Sequence, residues 1–288
     1  MTKMIETATG AHLLKFDSMT EVVDYTDASL FKKGTRSFVG EHIPDWDAAQ
    51  TKTKEHWSYG HEVLEAFVER LRAASLPQLK SRIRYTEWSF TEGDEVDIER
   101  MNAGLPYMRR KITDNTQGPG ELTVIIDVTT ACSVDADDIL WRGAAAVALT
   151  QILEEKGYRV EVWVVNGSYL FKHDPKPVLT ACCLKLCSDP LDVSTLVSTV
   201  SGWFYRSVTF TLLETICDKE NEEVNYGYGT CATPMPKDLD AVSTDLLRVY
   251  ASGVFSFNGA LDMIIGEVTR VIAVGEGKDP AADADADK

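Results

Sequence analysis

The chain has no long apolar run: no stretch of its 288 residues approaches the roughly 18 that a membrane-spanning helix needs, so no membrane partner is expected. Met1 to Ala11 lack the charged start and apolar stretch of a secretory signal, which points to the cytoplasm, or the host cytoplasm if the source is viral. No glycine-rich phosphate loop follows a strand, and no Gly-x-Ser-x-Gly elbow offers a nucleophile. The five histidines yield one close pair, His56 and His61, whose spacing does not bring them to one helix face. An enzyme is therefore not expected. Positive charge is also short. Twenty-nine Lys and Arg stand against 45 Asp and Glu, a net charge of −16. That excludes a surface basic all over, while leaving room for a local cationic groove. Six cysteines, at 132, 182, 183, 187, 217 and 231, are too few and too scattered for a secreted disulfide scaffold. Cys183 and Cys187 have no matching second pair for zinc, so the thiols read as small core residues.

What is present is a globular balance, 44% hydrophobic and 26% charged. Leu13–Phe16 reads as a strand, Ser18 as the cap of a short helix, and Val63, Leu64, Phe67, Val68 and Leu71 as one face of a helix over 60–74. The segment 80–111 has no clear periodicity. The turn residues Thr116–Gly120 mark a boundary, dividing an N-terminal α+β extension (1–118) from an α/β domain (119–274). In that domain the strand Glu121–Val128, the helix Ile139–Lys156 and the strand Tyr158–Val165 form a parallel crossover unit. A strand at 178–186, an aromatic helix at 203–218, and a closing strand (245–250) and helix (257–271) complete a doubly wound, mostly parallel sheet of Rossmann-like type, covered on both faces. Residues 275–288 are a low-complexity acidic tail, expected to be disordered.

Single-stranded nucleic acid is held by cations that track phosphates and by aromatic faces on which bases stack. Three clusters combine the two: Lys32, Lys33 and Arg36 between Phe31 and Phe38; Lys80, Arg82 and Arg84 before Tyr85 and Trp88; and Arg109, Arg110 and Lys111 after Tyr107. Trp203 and Arg206 make a fourth mixture. The competing reading is that these cations are ordinary surface or ion-paired side chains, with Trp57, Trp88 and Trp203 filling an interface between the two halves.

The strand end Asp127-x-Thr129-x-Ala131 resembles the Asp-x-Ser-x-Ser metal motif of the von Willebrand factor A-like fold, over roughly residues 119–274, with the last hydroxyl missing. The resemblance implies a magnesium site at Asp127 and Thr129; the bottom-up alternative is that both residues hydrogen-bond the loop and cap the next helix. The overall pattern, with Trp57-Ser58-Tyr59-Gly60 and Trp141-Arg142-Gly143-Ala144, resembles a family of phage and bacterial proteins, and also the single-stranded-DNA-binding RNA polymerase cofactors of lytic phages. The second resemblance implies a transcription regulator that coats melted promoter DNA and recruits the phage RNA polymerase. The expected function is thus non-enzymatic binding of single-stranded DNA. The alternatives are a von Willebrand A-like protein-interaction module and a virion structural protein.

Overall fold

Seven residues, Glu121–Asp127, form a strand that is buried at every position after the first, and the rest of the protein is arranged to cover it. A computed structural model describes residues 4–55, 57–73, 83–113, 121–131, 133–225, 230–235, 237–243, 248–251 and 257–275. The sequence expectations for Lys80, Arg82 and the tail 276–288 lie outside the described residues.

The first elements are β1 (Met4–Glu6), β2 (His12–Phe16), α1 (Met19–Tyr25), α2 (Arg36–Val39), α3 (Trp46–Lys54) and α4 (Ser58–Ala73). A small antiparallel unit follows: β3 (Ile83–Tyr85), β4 (Glu95–Val96), α5 (Ile98–Asn102), β5 (Met108–Arg109) and β6 (Lys111–Thr113). Next come β7 (Glu121–Asp127), α6 (Ala136–Glu155), β8 (Arg159–Tyr169), β9 (Val178–Lys185) and α7 (Val193–Thr199). The aromatic helix is continuous through α8 (Gly202–Phe204), a π-helical turn at Tyr205–Thr209, and α9 (Phe210–Glu220). β10 (Thr230–Cys231), β11 (Arg248–Ala251) and α10 (Phe257–Gly275) close the fold.

The main sheet runs β1-β2-β9-β8-β7-β11, with β10 added against β8. β7 lies parallel to β8 and β11, and β2 parallel to β9, while the β1–β2, β8–β9 and β8–β10 pairs are antiparallel. The protein is therefore α/β with a mixed sheet rather than a mostly parallel one. The reason lies in the connections. β7 and β8 are joined by the long helix α6, whereas only residues 170–177 separate β8 from β9. A parallel return needs a dozen or more residues, so the second connection can only make a hairpin.

Alternation along the strands sorts the core into two layers. Leu122, Val124 and Ile126 of β7 join Val160, Val162 and Val164 of β8 beneath the helices. Ile125, Trp163, Val165, Leu179, Ala181 and Cys183 face the other way, under Leu239 and Val242. Among the described residues the long helices gather on the first face. The second is closed by the chain on its way to β11, including a 3-10 turn at Leu239–Ala241. Lys15 tightens this cover by donating to Val242 O (2.9 Å), its ammonium 4.5 Å from the Trp163 ring centre.

α6 is the centre of the helical layer. It is apolar nearly all round, and α4, α7 and α10 pack on it. Gly143 admits the close approach of Val200, because a Cβ there would run into the Val200 side chain. The sheet also crosses the boundary expected near residue 118. β2 pairs with β9, and Leu14, Phe16, Trp46 and Phe67 belong to the same core as β7.

Three of the six cysteines are core thiols as expected, whereas Cys187 is half-buried, Cys231 is exposed, and Cys132 lies outside the described residues. Cys182 and Cys183 point to opposite faces of β9, and Cys217 lies inside α9. Burial pushes the Cys183 thiol up to about 11 and the Cys217 thiol to about 12, and raises Cys182 strongly. An unfolded cysteine ionises near about 8.5, so above that pH the unfolded chain loses protons that the native chain keeps. Stability should fall as pH rises from about 8.5 towards 11, read as a declining melting temperature. Native protein treated briefly with iodoacetamide at about pH 8 should be alkylated at exposed Cys231, with Cys182, Cys183 and Cys217 spared in the peptide mass map.

Candidate nucleic-acid interface

Residues 83–113, where no periodicity is visible, form a small sheet around the strand 107–113. On one edge, Thr86 N donates to Arg110 O (3.0 Å), Ser89 N to Met108 O (2.7 Å) and Met108 N to Ser89 O (2.9 Å). On the other edge, Asp94 N donates to Arg109 O (2.9 Å) and Asp97 N to Tyr107 O (2.9 Å). The result is three antiparallel strands with 107–113 in the middle. Gly93 is required at the tight crossing, since a Cβ there would strike the Arg109 backbone. Asp97 caps α5 by accepting from Arg100 N.

The pairing brings the described part of the second sequence cluster, Arg84 to Trp88, beside the third. Tyr85 lies opposite Lys111, Arg84 opposite Ile112, and Glu95 opposite Arg109. Tyr85, Arg109, Trp88 and Arg100 stack into a ladder of alternating rings and cations. The Arg109 guanidinium is 3.7 Å from the Tyr85 ring centre and 4.8 Å from Trp88, and the Arg100 guanidinium is 4.6 Å from Trp88. Arg100 is fixed from behind by donating Nε to Pro106 O (2.8 Å). Each such contact contributes about 0.5–1 kcal/mol at an exposed site. Tyr107 packs edge-on against Phe90, ring centres 6.2 Å apart. Lys111 is exposed, and Tyr85 keeps 43% of its surface open to solvent.

Carboxylates of the same unit hold two of the cations. Glu95 Oε2 accepts from Arg109 Nε (3.1 Å) and also contacts its Nη2 (3.1 Å), and Glu92 lies 3.7 Å from Arg110 Nη2. These pairs are solvent-exposed and worth little to stability. None of residues 85–112 is buried. Among the described residues, seven of the twelve exposed large hydrophobics fall here: Tyr85, Phe90, Val96, Ile98, Met101, Leu105 and Ile112.

The first sequence cluster sits on the core instead. Lys32 pairs with Glu214 of α9. Lys33 borders a cleft of about 350 Å³ that it shares with Asp45 and Asp47, and Arg36 starts α2 at the surface. Phe31 and Phe38 are committed to Trp46 and Phe210 at ring distances of 6.2 Å.

Two expected contacts are corrected. Trp203 is 1% exposed, packed edge-on between Trp57 and Phe204, and no base can reach its faces. Arg206 is 4% exposed. It donates to Phe38 O (2.5 Å), Ala131 O (3.3 Å) and Val134 O, and it stacks on the Phe38 ring. The apolar face of their helix turns inward and takes both residues with it. Arg100, Phe90 and the two competing glutamates were missed in the sequence, because the strand pairing that collects them spans about 25 residues with no periodic signal.

At the carboxyl end of β7, Asp127 Oδ1 accepts from Thr129 N (2.8 Å), and Thr129 Oγ1 accepts from Gly167 N (2.8 Å). Arg142, 2% exposed, donates Nη1 to the carbonyls of both Asp127 and Thr129 (3.0 Å for Thr129). The Tyr205 hydroxyl contacts Thr130 N and O, each at 3.4 Å, and burial raises its pKa. Among the described residues no three acidic, histidine or cysteine side chains gather as metal ligands. The donor set at Asp127 and Thr129 does not fit magnesium, because both oxygens hold the loop and a buried guanidinium already supplies the positive charge there. Replacing Arg142 with Met strips two buried carbonyls of their donor. The expected loss is about 3 kcal/mol in urea unfolding, and an unchanged midpoint would show that the guanidinium does not hold the loop.

No curated protein and no solved structure gives a match to the chain. The family model for a domain of unknown function, DUF7192, matches residues 5–250. That span begins in β1, includes the ladder of Tyr85, Arg109, Trp88 and Arg100, and ends in β11, so the chain belongs to the DUF7192 family.

Proposed function

We propose that this is a non-enzymatic single-stranded-DNA-binding protein whose strand-holding element is the small sheet of residues 83–113. The observation that carries the reading is the convergence of Tyr85, Trp88, Arg100, Arg109 and Lys111 on one surface, with no core of their own to serve. A phosphate exchanges with Glu95 for the Arg109 guanidinium, and the open face of Tyr85 extends the ladder by one base. The cluster of Lys32, Lys33 and Arg36 plays no part in it, since it sits on the core, where Lys32 pairs with Glu214 and Lys33 lies beside Asp45 and Asp47. The resemblance to phage polymerase cofactors extends the reading to melted promoters, with the phage polymerase as protein partner.

The finer fold reading, a doubly wound von Willebrand factor A-like core, is supported by the β7–α6–β8 crossover and by β11 lying on the opposite side of β7. These two neighbours make the end of β7 a topological switch point. In this reading the switch point serves stability through Arg142, and binding is moved to the small sheet.

A gel-shift titration with labelled oligo-dT tests the proposal. Binding at micromolar protein should weaken with salt at a logarithmic slope of about −2, as expected for about three neutralised phosphates. Tyr85→Ala should weaken binding by about 5- to 150-fold, the loss of one stacked base. Glu95→Gln should tighten it, because Arg109 loses its internal competitor. Lys32→Ala should leave it unchanged. Absence of retardation at about 50 µM protein in low salt would overturn the reading.

A further inference from the structure

The small sheet has a second side. Pleating sends Glu95, Arg109 and Lys111 to one face and Val96, Met108, Arg110 and Ile112 to the other. Val96 lies directly opposite Met108, and Ile112 follows two positions further on from Arg110. Val96 is 53% exposed and Ile112 48%, with Met108 half-buried between them. A short sheet gains stability by burying an apolar face, and no residue from 85 to 112 is buried. This face therefore has an apolar centre without a cover, edged by the balanced pair Arg110 and Glu92 (3.7 Å).

The charge distribution says what covers it. The whole chain carries −16, whereas residues 83–113 hold five cations and six acids. Almost all of the excess acid lies elsewhere. A basic partner would be drawn to the rest of the surface, and an acidic one would gain nothing here. Two copies of the chain repel over most of their surfaces and meet at least cost where each is nearly neutral. A face with an apolar centre and one ion pair at its rim is also complementary to itself under a twofold axis, Arg110 of each copy reaching the acid of the other. We propose that the face of Val96, Met108 and Ile112 is the docking surface for a second copy of this chain, forming a twofold dimer.

The pairing leaves the ladder of Tyr85, Arg109, Trp88 and Arg100 on the outside of each copy. Dimerisation and DNA binding thus use opposite faces, and each can fail without the other. A dimer would present two strand-holding faces pointing away from each other.

Sedimentation velocity of the full chain between about 1 and 100 µM, in low and in high salt, provides the test. The expected result is a concentration-dependent shift from one to two chains. It should strengthen as salt rises, because screening removes the repulsion between two acidic bodies while the apolar contact is kept. The double variant Val96→Glu with Ile112→Glu should raise the dissociation constant by more than about 100-fold. Both substitutions are exposed, so its melting temperature should match the parent, and its oligo-dT shift should persist per chain. A wild-type chain that stays monomeric at about 100 µM in high salt overturns the proposal. So does a dimer that the double variant forms equally well.

Discussion

A strand buried on both sides has to be covered on both sides, and β7 imposes this constraint on the whole molecule. Its even-numbered residues require a helical layer, and its odd-numbered residues require a second cover. The sequence meets the first demand with α6, which is apolar around most of its circumference and so must itself be enclosed by α4, α7 and α10. The second demand is met more thinly, by a 3-10 turn, Val242 and the stem of Lys15. At the carboxyl end of β7 the Arg142 guanidinium, carried by α6, reaches the carbonyls of both Asp127 and Thr129.

Where one element decides its own structure, the sequence is readable. β7, α6, β9 and α10 appear within a few residues of their expected bounds, because buried strands and long helices carry dense apolar patterns. Ser18 and its acceptor role at Glu21 N are likewise local and legible. The failures share one physical cause, dependence on distant partners. The antiparallel turn from β8 to β9 depends on a short connection, not on composition. The strands of 83–113 are two or three residues long, too short for a period of two to register. Trp203 and Arg206 look like a binding pair in sequence, yet a helix that packs on a wide core buries even its cation, provided that carbonyls are there to receive it.

The candidate interface shows the same division. Strand pairing sets Arg84 and Tyr85 of the second cluster beside the third, while Lys32 and Lys33 of the first face Glu214, Asp45 and Asp47. Cations in short runs do not announce their partners. Arg109 is surrounded by a tyrosine, a tryptophan and a glutamate that come from the two stretches of chain on either side of its strand. Only the register of Glu95 on Arg109 and of Tyr85 on Lys111 collects them.

A net charge of −16 constrains a DNA-binding protein less by its size than by its placement. Charges more than a Debye length away, about 8 Å at physiological salt, are largely screened at an exposed surface. What a phosphate meets at the small sheet is therefore set by its immediate neighbours: Arg109, Arg100 and Lys111 against Glu95. The excess acid on the core acts at longer range, slowing approach in low salt and opposing self-association. A unit that is nearly neutral overall is sorted by pleating into a cationic, aromatic face, the proposed site for a polyanion, and an apolar face, the proposed site for a second copy. Neither property can be read from the total charge, because both arise from the alternation of side chains along one seven-residue strand.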